Sequence, residues 1–214
     1  NVQEYQVSVS SHTAETETGG VRVNMIPKEG GNVIAGSFFA HFANHAMQSR
    51  NLSDALRAKG LRDPDEIKSL WTANPSVGGP VVKDKLWFYG GYSRMMIRRL
   101  KAGTYVNPTP KAFQPTYDLN QQVVAGEHTH DGNIRLTYQA TSKHKLSFYY
   151  DRNVLCQCPY LVGRTYIGNN TLDGSNDSPR KTNLYQGTWS SPLTNRLLLE
   201  ASTSLPFFET DKIP

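Results

Sequence analysis

The sequence predicts an all-β chain laid out as part of an antiparallel transmembrane β-barrel, about seven strands that do not close, and three observations carry it. Only 37% of the 214 residues are hydrophobic and mean hydropathy is −0.54, yet 8 Phe, 3 Trp and 11 Tyr are spread along the whole length. Such a chain has few wholly apolar runs and many half-apolar ones, as strands with lipid on one face and water on the other require. Several segments alternate apolar and polar residues with a period of two. Long polar connections also alternate with short turns three times in succession, which a soluble sandwich has no reason to do.

Taken in order, Asn1 to Ser11 alternates through Val2, Tyr5, Val7 and Val9 and reads as a strand, followed by a polar loop, His12 to Thr18. Gly19-Gly20 leads into a buried strand (Val21, Val23, Met25), and Pro27-Lys28-Glu29-Gly30-Gly31-Asn32 forms a turn before an aromatic strand from Val33 to Phe42. Between Gln48 and Leu70 the period changes. Ser53 caps a short helix from Asp54 to Lys59 that Gly60 stops, and Asp63-Pro64-Asp65-Glu66 has the cap, proline and carboxylate of a second helix start.

Asn74 to Tyr92 reads as a hairpin. Gly78-Gly79 permits a bulge or close strand approach, Pro80 removes a ladder donor, and Lys83-Asp84-Lys85 makes a tight charged turn before Trp87, Phe88, Tyr89 and Tyr92, placed as an interfacial aromatic girdle. After a Pro-containing loop, 101–127, the clearest apolar-out, polar-in hairpin sets Ile134, Leu136 and Tyr138 beside Leu146, Phe148 and Tyr150 around the turn Thr141-Ser142-Lys143-His144. A third long loop, 153–180, holds both cysteines. Lys181 to Ser190, a turn from Ser191 to Asn195, and Arg196 to Leu205 complete the series.

Composition and motifs narrow the function classes. The balance of 23 Lys+Arg against 18 Asp+Glu gives +5, but basic residues cluster only at Arg98-Arg99-Leu100-Lys101 and no nucleic-acid recognition module is present, so no nucleic-acid partner is expected. No run of 18 apolar residues occurs, which excludes a transmembrane helix and leaves barrel strands open. The opening residues lack the charged and apolar regions of a signal peptide. No serine-hydrolase, zinc-protease or phosphate-loop pattern appears, so no enzyme and no cofactor are expected.

Cys156 and Cys158 would close a very small ring as a disulfide, and no second CxC or CxxC completes a zinc set, so they read as loop thiols or a labile bridge. His128 and His130 share a strand face as a metal site would need, but no third ligand is identifiable, and two polar residues at a strand mouth is the plainer reading.

Two motifs carry a resemblance. Gly19, Gly20, Val23, Asn24, Lys28, Gly30 or Gly31, and Asn32 resemble the GGxVNxxxKxGxN junction between plug and barrel in TonB-dependent outer-membrane receptors, with Met25-Ile26-Pro27 where that family has a Val/Ile-Thr run. Gly78, Gly79, Pro80, Lys83, Asp84 and Lys85, with the aromatics after them, resemble the GGP-KDK hairpin of its Oar-like branch. The resemblance implies that 1–32 is the C-terminal part of a plug and 33–214 the N-terminal part of the barrel, with extracellular loops 46–73, 101–127 and 153–180. It further implies residence in the outer membrane of a Gram-negative-type bacterium, with lipid as one partner. It implies energy-coupled uptake of an unidentified ligand, with a periplasmic TonB-type transducer as the other partner. Barrels of this family have about 22 strands, so seven leave two bare edges. A soluble all-β surface module binding carbohydrate or protein is the alternative. It would bury the Ile134/Leu136/Tyr138 and Leu146/Phe148/Tyr150 faces against a second sheet.

Overall fold

A computed structural model describes residues 2–8, 20–109, 113–114, 116–159, 162 and 177–211. Among the described residues, nine strands form two antiparallel sheets. β1 (Val2–Ser8) and β2 (Arg22–Pro27) make a two-stranded ribbon, with Asn24 opposite Gln6. β3 (Ala35–Asn44), β4 (Glu66–Val82), β5 (Leu86–Val106), β6 (Asp118–Gln139), β7 (Lys145–Gln157), β8 (Ser178–Thr194) and β9 (Leu197–Thr210) make one seven-stranded sheet in chain order. The sheet does not close: β3 and β9 are its two edges.

Register fixes the faces, because directly opposed residues of an antiparallel pair point to the same side. Leu86, Phe88, Gly90 and Tyr92 oppose Tyr138, Leu136, Ile134 and Gly132, which in turn oppose Leu146, Phe148, Tyr150 and Arg152. The same face continues through Trp189, Gly187 and Tyr185 into Ala201, Thr203 and Leu205, and on the other side through Val77 and Pro75 into Gly36 and Phe38. No second sheet covers this band among the described residues, and Leu136 and Phe148 stay 38% and 45% exposed. That is the opposite of what a soluble sandwich module needs.

The other face is polar and laced by hydrogen bonds. The Ser37 and Ser76 hydroxyls meet at 2.8 Å, Ser93 Oγ donates to Asn74, Arg135 Nε donates to Ser147, and Asn153 Nδ2 donates to Asp131. Alternation thus sets an apolar surface and a polar surface on opposite sides of one layer of backbone.

Several expectations are corrected. The strand at Val23 is not buried: Val23 is 47% exposed, since a two-stranded ribbon has no covering layer among the described residues. The first sheet strand is displaced by two residues, running to Asn44 instead of Phe42. The helix at Asp54–Ala58 (α1) forms with Ser53 as its cap, Ser53 Oγ accepting the Leu56 N–H at 3.3 Å. The second helix does not form, because Asp65 is engaged by β5 and Glu66, the first residue of β4, by Arg50, as described below. All three loops are shorter than expected: β4 begins at Glu66, β5 runs to Val106, β6 begins at Asp118, β7 runs to Gln157 and β8 begins at Ser178. Cys156 therefore lies in β7 and not in a loop. β8 continues to Thr194, and its turn to β9 is Asn195-Arg196.

Candidate functional site

The site is built where the chain leaves the small ribbon and enters the large sheet. β2 ends at Pro27, and the segment to Ile34 crosses the polar face near the short turns. Arg135 on β6 lies on that face opposite Tyr149, and its Nη1 donates to the Pro27 carbonyl at 2.8 Å. The same guanidinium reaches Glu29 at 3.5 Å, and Lys145 Nζ reaches Glu29 at 3.1 Å. Arg135 is the most shielded member of the trio, with 18% of its side chain exposed, while Glu29 and Lys145 stand at the exposed rim.

Asn32 makes the second attachment. Its Oδ1 accepts the Asp84 backbone N–H at 3.0 Å and the Trp87 indole N–H at 2.7 Å, while its Nδ2 donates to Asp84 Oδ1. One side-chain amide thereby satisfies the turn between β4 and β5. Asp84 adopts φ 59°, a left-handed conformation that Asp tolerates better than most residues, and this helps close the Lys83-Asp84-Lys85 turn, in which the Lys85 N–H reaches the Val82 carbonyl at 3.2 Å.

Between these attachments the backbone lies directly on the sheet. A Cβ on Gly30 would sit 2.2 Å from the Phe88 carbonyl oxygen and 3.1 Å from that of Gly79, so only glycine fits. Gly78 likewise leaves room for the Tyr89 ring opposite it, which a Cβ would approach to 2.8 Å. Tyr89 is 7% exposed beneath this contact, and a shallow cavity lined by Lys28, Gly30, Ser37, Ser76 and Tyr89 opens beside it.

The two sequence motifs, some 50 residues apart, therefore meet. Gly30, Asn32, Gly78, Gly79 and Asp84 form one contact, with Gly31 beside it and Pro80 opposite Trp87 just before a register shift. Lys28, Lys83 and Lys85 instead point their charges to solvent. Gly20, at φ 119°, precedes β2, Asn24 lies within the β1–β2 ribbon, and Gly19 lies outside the described residues.

The expected girdle is also split. Phe88 and Tyr92 lie on the apolar face, whereas alternation turns Trp87 and Tyr89 to the polar face, toward the entering segment. Glu29, Arg135 and Lys145 were not singled out by sequence. Glu29 stands 116 residues from Lys145, and no local pattern links them.

At the far end of the sheet a different lock forms. Asp65 accepts the Ala102 N–H at 2.6 Å and pairs with Lys101 at 2.7 Å, Arg50 pairs with Glu66 at 3.0 Å, and the Tyr105 hydroxyl donates to Asp63 at 3.2 Å. Partial burial alone would raise the Asp65 carboxyl, but the Ala102 N–H and Lys101, with Arg99 nearby, outweigh it and hold it below its ordinary 3.8.

Comparison with known proteins agrees with this geometry. Residues 26–124 match the family described as outer membrane beta barrel domain. Over 99 residues the chain is 26% identical to the TonB-dependent transporter Oar of Myxococcus xanthus, a match covering 45% of this chain and 9% of that protein. The chain thus spans a small part of the relative it matches. No solved structure matches it. Its single open sheet, apolar on one face and polar on the other, has the pattern of part of an outer-membrane β-barrel, and over the matched residues the chain is similar to a TonB-dependent transporter.

Proposed function

We propose that this chain is the junction of plug and barrel in an energy-coupled outer-membrane transporter: 1–32 closes the plug, 33–214 opens the barrel wall, and a periplasmic TonB-type transducer acts on the plug. The observation that carries the reading is the seating of Pro27 to Asn32 on the polar face through Arg135, Lys145, Asp84 and Trp87. A segment held there from inside a barrel ties a lumenal domain to the wall at its exit. The wall stays fixed by its ladder, while among the described residues the β1–β2 ribbon beyond Pro27 makes few contacts with the large sheet and is the part a pull would move.

On this reading the short turns Lys83 to Lys85, Thr141 to His144 and Asn195-Arg196 face the periplasm, and the connections after β3, β5 and β7 face outward. The test is fractionation followed by cross-linking. The protein carrying this chain is expected in the outer-membrane fraction, cross-linked to a TonB-type transducer in energised cells. Outer-membrane recovery with no such cross-link, under conditions where other receptors of the cell give one, contradicts the coupling.

A further inference from the structure

His128 and His130 occupy the same face of β6, beyond the apolar band, and their spacing alone leaves a metal short of ligands. Strand pairing changes this. Cys156 on β7 lies directly opposite His128, and the Cys158 N–H donates to the Gly126 carbonyl at 2.9 Å, which brings the second cysteine back toward β6. One donor atom each from His128, Cys156 and Cys158 lies within 4.8 Å of the other two. Ligands of a single tetrahedral ion, each about 2.0–2.3 Å from it, stand about 3.3–3.8 Å apart, which small side-chain rotations reach from this placement. On the other side of His128 the directly opposed residue is Met96 of β5, so a thioether shares the face. His130 is tied through Nδ1 to the Tyr92 hydroxyl at 2.8 Å. The two sulfurs are joined as a disulfide here, and Cys156 is 5% exposed.

We propose that, once the Cys156–Cys158 bond is reduced, His128, Cys156 and Cys158 form a binding site for monovalent copper. Two thiolates, an imidazole and an adjacent thioether make a soft donor set, which selects Cu(I) over harder cations. The balance is simple. A dithiol gives two electrons and two protons to the disulfide and leaves as its own disulfide. Cu(I) then displaces both thiol protons, while neutral His128 offers its lone pair. The complex carries one negative charge, and Arg94 and Arg98, on the same face of β5, provide the compensating field. The conditions that open the disulfide are those that keep copper monovalent, so the bond acts as a redox gate on the site. This inference stands apart from the transport reading, since it uses the β6–β7 register, the Cys158 backbone hydrogen bond and the donor cluster, none of which that reading needs.

The test uses the protein purified from outer membranes in detergent, reduced with a dithiol and titrated with Cu(I) against a chromogenic Cu(I) chelator, with Zn(II) in parallel. One Cu(I) per chain is expected, none in the unreduced protein, and at least a tenfold loss of affinity in both H128N and H128A. Unreduced samples of each variant must show the parent's strand signal by circular dichroism, which separates a lost ligand from a lost fold. Absence of stoichiometric uptake by the reduced parent, equal affinity in folded H128N, or tighter binding of Zn(II) than of Cu(I) overturns the assignment.

Discussion

Between the register shifts near their ends, the seven strands of the large sheet share one alternation, but their two halves present different chemistry on the same face. In the half next to the short turns, that face carries Leu86, Phe88, Ile134, Leu136, Tyr138, Leu146, Phe148 and Leu205. In the far half it carries Arg94, Arg98, His128, His130, Arg152, Lys181 and Glu209. The change falls at the level of Tyr92, Tyr150 and Tyr185, where the Tyr92 hydroxyl meets His130 and the Tyr150 hydroxyl donates to Asn183 at 3.1 Å. A strand needs about 9–11 residues to cross a membrane. β5 and β6 have 21 and 22, so roughly half of each stands beyond the lipid. The difference teaches that strand length here is set by two jobs, spanning below and projecting above, and that aromatic residues with a polar tip mark the border.

The comparison is tested most severely by one charge placed in each half. Leu136→Arg should destabilise the barrel by about 2–4 kcal/mol, the depth-dependent cost of a charge facing hydrocarbon, whereas Val154→Arg on the same face should cost about 0–1 kcal/mol. Equal effects, read from unfolding midpoints in detergent or lipid, would erase the distinction between halves. A second test probes the polar face near the turns. Gly30→Val forces a Cβ into the Phe88 carbonyl and should cost about 1–3 kcal/mol, as overpacking does, while Gly31→Ala, where nothing lies within 4 Å, should be far milder.

Asn32→Ala removes the acceptor of the Asp84 N–H and of the Trp87 indole, and about 0.5–1.5 kcal/mol per bond should be lost. The loss should show as faster proteolysis before Val33 and an indole fluorescence shift, with the sheet signal unchanged. The smallest effect belongs to the far half. The Asp65 carboxyl is held below 3.8, so its contribution is fully present above that value and is lost only as pH falls through the lower, folded one. Protection of the Ala102 amide from hydrogen exchange should therefore be level from neutrality to about pH 4 and fall below it. A loss beginning near pH 6 would contradict the sign.

Much of this was legible in the order of residues. The alternation of Ile134, Leu136 and Tyr138 against Leu146, Phe148 and Tyr150 sets both face and register, and the observed pairs are those residues. The glycines and Asn32 mark a backbone held close to something. What they touch was not legible, because Gly30 meets Phe88, and Glu29 meets Arg135 and Lys145, across separations that no local pattern spans. Trp87 and Tyr89 misled for a related reason: an aromatic run is read as a girdle, but a period of two sends every second ring to the other face. The start of β4 misled through its own chemistry. Asp63-Pro64-Asp65-Glu66 has the residues of a helix start, but the Asp65 carboxylate accepts an N–H from β5 instead of one from its own first turn, and Glu66 is drawn to Arg50. His128 and the cysteines were each short of ligands alone, and only pairing of β6 with β7 joined them.

The central claim is that the apolar face of the turn-side half meets hydrocarbon and the opposite face meets water. Single spin labels at each position from 133 to 139, in protein reconstituted into bilayers, test it directly by comparing collisions with a lipid-soluble and a water-soluble relaxer. The account predicts a period of two, with 134, 136 and 138 favouring the lipid-soluble agent and 133, 135, 137 and 139 showing none of that preference. Labels at 134, 136 and 138 shielded from both agents would place that face against another protein layer and contradict it.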